Sequence, residues 1–154
     1  RRKRVGPRQY LYLNSAIAQT GGGMNKKEIT VLMIEDNEQN RYLATFLLEA
    51  QGFAVVSAVD GPQGILLAAE KPYDLILLDI QLPSMDGYAV AAALRKNPLT
   101  RSIPIIAVTS YAMAGDREKA LASGCDGYLE KPINPETFVS EIRKFISDSG
   151  KGTL

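Results

Sequence analysis

The sequence lacks histidine altogether and has a single cysteine, Cys125, among its 154 residues. The absence of histidine excludes serine–histidine triads, cysteine–histidine proteases and histidine-ligated zinc sites within this chain. One cysteine cannot form an internal disulfide, which favours a reducing, cytoplasmic compartment, and we expect Cys125 to be a small buried residue rather than a redox sensor. Carboxylates, hydroxyls, lysine and a hard metal ion remain available for chemistry.

Long apolar runs are also missing. No run approaches the ~20 residues that a helix needs to cross a bilayer, and no segment has the order of features of a signal peptide, so no membrane association is expected. The chain is 45% hydrophobic and 23% charged, close to the globular average, and its length suggests one domain.

The net charge of +1 hides an asymmetry. Residues 1–23 contain five basic residues and no acid, so the rest of the chain has 13 basic against 17 acidic residues. This mildly acidic body argues against direct binding of DNA. We interpret 1–23 as a flexible basic segment, either an artificial extension or the end of an upstream region, although Arg4 and Arg8 could contact a phosphate. The predicted domain covers 24–148, followed by a short tail, 149–154.

From Ile29 onward, five short apolar runs alternate with five helical patterns. The last two of these patterns are AMAGDREKALASG and PETFVSEIRKFISD, and Asn134 is the expected cap of the last one. The runs are ITVLMI, FAVVSAV, DLILLD, IPIIAVTS and a shorter one within CDGYLEK. Strands that are apolar on both faces and alternate with helices predict an α/β fold with a parallel sheet covered on both sides. The favoured architecture is a doubly wound, flavodoxin-like (βα)5 domain with strand order 2-1-3-4-5.

Polar residues follow four of the five predicted strands. They are Glu35-Asp36, Asp79, Thr109-Ser110 and Glu130-Lys131-Pro132. In this class of sheet, ligands bind beyond the carboxyl ends of the strands. Three acids brought together repel one another unless a cation joins them, and oxygen ligands suit Mg²⁺, with Mn²⁺ an alternative. With Lys131 and Thr109 available for phosphoryl oxygens, the set predicts phosphoryl transfer to an aspartate.

Taken singly, each of these residues is typical of a helix cap or a turn. Their joint occurrence at four strand ends favours function. One alternative of another class is a phosphohydrolase of the haloacid dehalogenase kind, which requires a second aspartate two residues after its nucleophile. Gln81 occupies that position here. Another alternative is a scaffold with the same α/β fold whose aspartate never takes phosphate.

The motifs VLMIEDN, LILLDIQLPSMDG, IPIIAVTS and GYLEKPI resemble those of the receiver domain of two-component response regulators, the CheY-like family. The resemblance covers about Thr30 to Ile146. Within the family, EDNEQN, LLEAQG and AMAGDREKALASGCDGYLEKPI are most similar to single-domain DivK-type regulators and to the receivers of hybrid kinases.

The resemblance implies roles for the acidic residues. Asp79 would accept the phosphoryl group, and Asp36 and Asp79 would bind magnesium directly. The backbone carbonyl of Gln81 would be the third protein ligand, so we expect its side chain to matter little. Glu35, where many relatives have aspartate, would hold the ion through water.

The same resemblance implies how phosphorylation is sensed. Thr109 would hydrogen-bond a phosphoryl oxygen and Lys131 would pair with another. Pro132 would follow a cis bond. Tyr128 would be an aromatic switch residue that turns inward as Thr109 moves, with a half-buried, static tyrosine as the alternative.

The function implied is a switch and not a metabolic enzyme, with assistance to its own phosphorylation and slow autodephosphorylation as its only chemistry. Its partners would be a histidine kinase or histidine phosphotransfer protein and a downstream protein target. A homodimer could form through the fourth helix, fifth strand and fifth helix. No output domain is recognisable, so the chain could also be a receiver excised from a hybrid kinase or multidomain regulator.

Overall fold

The structure is a computed structural model that describes residues 27–110 and 113–149. The predictions for residues 1–23, and for all of the tail except its first residue, lie outside these ranges. Five strands and five helices alternate along the described chain. The strands are β1 (Thr30–Ile34), β2 (Ala54–Ala58), β3 (Leu75–Asp79), β4 (Ile105–Thr109) and β5 (Gly127–Glu130). The helices are α1 (Glu38–Glu49), α2 (Gly61–Glu70), α3 (Gly87–Lys96), α4 (Asp116–Ala122) and α5 (Phe138–Ser149).

The strands form one parallel sheet in the order β2-β1-β3-β4-β5, which confirms the predicted fold. Successive residues of a strand point to opposite faces, so a strand with helices on both sides is apolar throughout. In β1, Leu32 and Ile34 pack into one core cluster, whereas Val31 and Met33 pack into the other. The unbroken apolar runs of the sequence therefore reflect two cores, one on each face of the sheet.

Side-chain caps start three of the helices. Asn37, Asp60 and Asp86 each accept a hydrogen bond from the backbone N–H three residues later, at 2.8 to 3.0 Å. These bonds satisfy N–H groups that have no partner within the helix. Because each cap lies just after a strand or its loop, the helices begin close to the carboxyl edge of the sheet.

The last two helices are shorter than the sequence suggested. The helix α4 begins at Asp116, after Gly115 at a φ of 96°. The helix α5 begins at Phe138 rather than Pro135, because residues 135–137 form a turn first. Asn134, which was expected to cap the helix, instead accepts the N–H of Glu136 within that turn, at 2.9 Å.

Gly87 brings the start of α3 into direct contact with the end of β3. A Cβ atom at this position would lie 2.5 Å from the carbonyl oxygen of Asp79 and 2.7 Å from the Cα of Ile80. The Gly87 N–H also donates to the Ile80 carbonyl at 2.9 Å. Only a residue without a side chain allows this approach, which determines where the loop after Asp79 returns to the sheet.

None of the helices in the described ranges is long and apolar enough to span a bilayer.

Candidate functional site

Three carboxylates meet where the strand order reverses. Glu35 and Asp36 directly follow β1, Asp79 is the last residue of β3, and these two strands are neighbours at the centre of the sheet. One carboxylate oxygen from each of the three lies within 4.8 Å of the others. This is the topological switch point, where doubly wound sheets bind their ligands.

Lys131 joins two of these acids. Its Nζ atom lies 2.7 Å from Oε2 of Glu35 and 3.3 Å from Oδ2 of Asp79. Glu35 and Asp79 are only 5% and 3% exposed, whereas Asp36 is exposed. One ammonium therefore faces two buried carboxylates and a third at the rim. The site has more negative than positive charge, and added positive charge would stabilise it.

Burial and the neighbouring charges perturb the pKa of the Asp79 carboxyl. Burial, and then the neighbouring charge of Glu35, raise the pKa of Asp79 from 3.8 to about 6. Lys131 and the N–H of Gln81, which donates to Oδ1 of Asp79 at 3.1 Å, act in the opposite direction but do not cancel the rise. The carboxyl is ionised in most molecules at neutral pH, but its charge is poorly compensated.

Backbone contacts hold the loop that contains Glu35 and Asp36. The N–H of Asn37 donates to Oε1 of Glu35 at 3.1 Å, so both oxygens of Glu35 have protein partners. The guanidinium of Arg41 donates to the carbonyls of Glu35 and Asp36, at 2.8 Å each. Arg41 was not predicted from the sequence, where its place one turn into α1 is the only available signal.

Gln81 was expected to matter only through its backbone, but its side chain makes two hydrogen bonds. Its Nε2 donates to Oγ1 of Thr109 at 2.7 Å, and its Oε1 accepts the N–H of Ser110 at 3.2 Å. These bonds link the loop after β3 to the end of β4. The bonded residues are separated by 28 and 29 positions in the sequence, and no local pattern indicates contacts over such a distance.

The remaining predicted residues lie around this edge. The Lys131–Pro132 peptide bond is cis, the geometry that the resemblance implied. Tyr128 lies on β5 beside Ala107 of β4, half-buried, and its hydroxyl is enclosed without a hydrogen-bond partner among the described residues. Cys125 is buried, and burial raises the pKa of its thiol to about 11, as befits an unreactive core residue.

The acidic cluster fits a magnesium site. Mg²⁺ prefers hard oxygen ligands and is usually bound by one or two carboxylates. Glu35, Asp36 and Asp79 offer such oxygens after adjacent strands, and the surplus negative charge would be offset by a divalent cation.

The fold and the site together define a CheY-like α/β domain with an acidic centre at the switch point. Residues 31–143 match the sequence model of the response regulator receiver domain. The polar-differentiation response regulators DivK of Brucella anthropi and Brucella melitensis are each 40% identical over 120 residues, covering 78% of this chain and 98% of the relative. The chain therefore belongs to the response regulator receiver family.

Solved structures agree with this assignment. A CheY-like receiver domain protein of Methanospirillum hungatei is 26% identical with a TM-score of 0.75, covering 81% of this chain and 98% of its own. The receiver domain of the sensor histidine kinase PA1611 of Pseudomonas aeruginosa is 34% identical with a TM-score of 0.72, covering 78% and 98%. That structure has a magnesium ion coordinated in its active site cleft.

Membership places the chain in two-component signalling, as a DivK-like receiver domain and not a classical enzyme. A receiver domain implies a kinase or phosphotransfer partner. The phosphohydrolase alternative is set aside by the same finding.

Proposed function

We propose that the domain is a phosphorylation switch in which Asp79 receives a phosphoryl group from a phosphohistidine. The observation that supports it most is the position of Asp79 at the carboxyl end of the central strand, in contact with Lys131 and beside two further acids. The donor would be a histidine kinase or a histidine phosphotransfer protein. The compartment would be the cytoplasm.

In this transfer, one oxygen of the Asp79 carboxylate attacks phosphorus. The P–O bond forms as the P–N bond to the imidazole breaks, and the electron pair of the broken bond stays on the imidazole nitrogen. Lys131 already contacts Oδ2 of Asp79 and would pair with a phosphoryl oxygen. The N–H of Gln81 orients the other carboxylate oxygen. Slow hydrolysis of the acyl phosphate would reset the switch.

Asp36, Asp79 and the backbone carbonyl of Gln81 would hold Mg²⁺, or Mn²⁺, and Glu35 would act through water. Engagement of both Glu35 oxygens by Lys131 and Asn37 supports that indirect role. When bound, the ion would offset the charge that phosphorylation adds, roughly −1.5 to −2 at neutral pH.

Thr109 and Tyr128 would report phosphorylation to the surface formed by α4, β5 and α5. Thr109 is buried at the end of β4, and its strand partner Glu130 lies two residues beyond Tyr128. An enclosed tyrosine hydroxyl without a partner among the described residues is costly, which supports a second position for the ring. Output would pass through contact with a downstream protein or a second copy of the chain.

The domain would be the unit from residue 24 to residue 148. Similarity to DivK supports a single-domain regulator, and similarity to the receiver of PA1611 keeps a receiver from a hybrid kinase as the second candidate.

The test is phosphorylation by a small donor. Incubation with Mg²⁺ and acetyl phosphate should add the mass of one phosphoryl group to the intact protein, and Asp79→Asn should abolish the adduct. The matched control is Asp74→Asn, the same substitution at the opposite edge of the sheet, which should be phosphorylated like the native chain. The proposal would be refuted if no adduct formed under any combination of small donor and metal ion, with both Mg²⁺ and Mn²⁺ tried.

A further inference from the structure

The side chain of Gln81 connects two segments that the proposed switch must move relative to each other. We call its two hydrogen bonds, to the Thr109 hydroxyl and to the Ser110 N–H, the Gln81 bridge. One end lies in the loop after the phosphoacceptor strand. The other end lies at the residue proposed to sense the phosphoryl group and at the backbone that follows it.

The direction of each bond follows from the chemistry of the partners. A backbone N–H can only donate, so the amide oxygen of Gln81 must face Ser110. The amide nitrogen then faces Thr109, and the threonine hydroxyl acts as acceptor at 2.7 Å. The bridge therefore holds both the side chain of Thr109 and the first residue of the following loop.

We propose that the Gln81 bridge holds Thr109 and Ser110 in the unphosphorylated arrangement and so opposes activation. This inference rests on the proposed function, because it assumes that Thr109 moves toward a phosphoryl group on Asp79. Such a movement changes the distance from Thr109 and Ser110 to Gln81, which is anchored beside Asp79 through its own N–H. Gln81 is then a positioning residue that sets the balance between the two arrangements.

The expected size of the effect follows from the strength of such bonds. Both bonds are between neutral groups, and Gln81 is exposed, so water can replace part of what is lost. Removing the bridge should shift the balance by about three- to tenfold toward the activated arrangement. A glutamine that only stabilised the loop would have no such effect, and one that supported the activated arrangement would have the opposite effect.

The experiment uses Gln81→Met, which keeps the length of the side chain and removes both hydrogen bonds. The matched control is Gln63→Met. Gln63 also accepts a backbone N–H, that of Val59 at 2.8 Å, on the same edge of the sheet but outside the site. Each protein is titrated with beryllium fluoride, a phosphoryl mimic, at saturating Mg²⁺, and the amide signals of Thr109 and Ser110 are followed by NMR.

We expect Gln81→Met to bind beryllium fluoride about three- to tenfold more tightly than the native chain. Gln63→Met should bind the mimic with the same affinity as the native chain. Without the mimic, the Ser110 amide should exchange faster with solvent only in Gln81→Met. Affinities within about twofold of each other, or weaker binding by Gln81→Met, would overturn the inference. If Gln81→Met fails to fold, Gln81→Ala takes its place.

The two proposals fail in different ways. A native chain that forms the acetyl phosphate adduct while Gln81→Met binds the mimic no more tightly leaves the proposed function standing and removes the bridge. A native chain that takes neither a phosphoryl group nor beryllium fluoride removes both.

Discussion

Aspartates lie at both edges of the sheet, but their surroundings differ. At the amino edge, Asp74 directly precedes β3 and Asp126 directly precedes β5. Each accepts the first N–H of the neighbouring strand at 2.9 Å, from Thr30 and Ile105 respectively. Each also has its own cation, Lys27 for Asp74 and Arg95 for Asp126.

At the carboxyl edge, three carboxylates share one lysine, and two of the three are buried. The amino-edge acids complete the sheet, since each has a cation and a strand N–H as partners. The carboxyl-edge acids carry more negative charge than Lys131 neutralises, so a bound cation would stabilise them. Compensation of charge therefore distinguishes the aspartates of the two edges, although both kinds adjoin a strand.

The largest expected effect is the pH dependence of stability in the metal-free protein. The pKa of Asp79 is about 6 in the folded protein and its ordinary value is 3.8, so the folded state binds more protons between these values. Stability should therefore fall as the pH rises from about 4 to about 6, by at most about 3 kcal/mol from this group. Urea unfolding across this range would measure it. Asp79→Asn should flatten the dependence, and an unchanged slope would contradict the raised pKa of Asp79.

The next effect concerns the amino edge. Asp126→Ala leaves the N–H of Ile105, a fully buried residue, without its acceptor. The free energy of unfolding should fall by about 1 to 3 kcal/mol, chiefly through this lost bond, because the ion pair with Arg95 is half exposed. Phosphorylation by acetyl phosphate should persist under conditions where the variant is folded. A stability equal to that of the native chain would mean that Asp126 has no structural role.

Neutralising one aspartate at each edge of the sheet gives a third comparison. Asp36→Asn should weaken Mg²⁺ binding by about tenfold or more, equivalent to about 1.4 kcal/mol, and leave unfolding nearly unchanged because Asp36 is exposed. Asp74→Asn should leave Mg²⁺ binding as it is. Calorimetric titration with the metal measures both, and equal losses in the two variants would erase the distinction between the edges.

The smallest effect is that of Lys27→Met. The lysine side chain is 86% exposed and its Nζ lies 3.3 Å from Asp74. Surface ion pairs of this kind contribute about 0 to 1 kcal/mol, so the change in unfolding should be close to the limit of detection. The strand N–H, and not the lysine, should thus be the important partner of Asp74. A loss as large as that of Asp126→Ala would reverse this ranking.

The fold was predictable from the sequence because a strand that is buried on both faces is apolar at nearly every position. The run LILLD is apolar up to its last residue, and that last residue is the centre of the site. The convergence of Glu35, Asp36, Asp79 and Lys131 followed from parallel strands sharing one carboxyl edge. Each of these inferences needed only local pattern and topology.

What escaped prediction depends on side-chain contacts between distant residues. The Gln81 bridge spans two strand ends, and Asp126 reaches a strand that begins 21 residues earlier. The start of α5 was placed too early because Asn134 and Pro135 also suit the turn that precedes it. Propensity cannot rank a cap against a turn that uses the same residues.

The close approach at Gly87 limits which substitutions the sequence can tolerate at this position. Two of the atoms that would collide with a side chain there belong to the backbone of Asp79 and Ile80, and cannot rotate away. Any replacement must push α3 outward or displace the strand end that presents the phosphoacceptor candidate. In a saturation mutagenesis library, position 87 should be nearly as intolerant of substitution as position 79, although it contributes no chemistry.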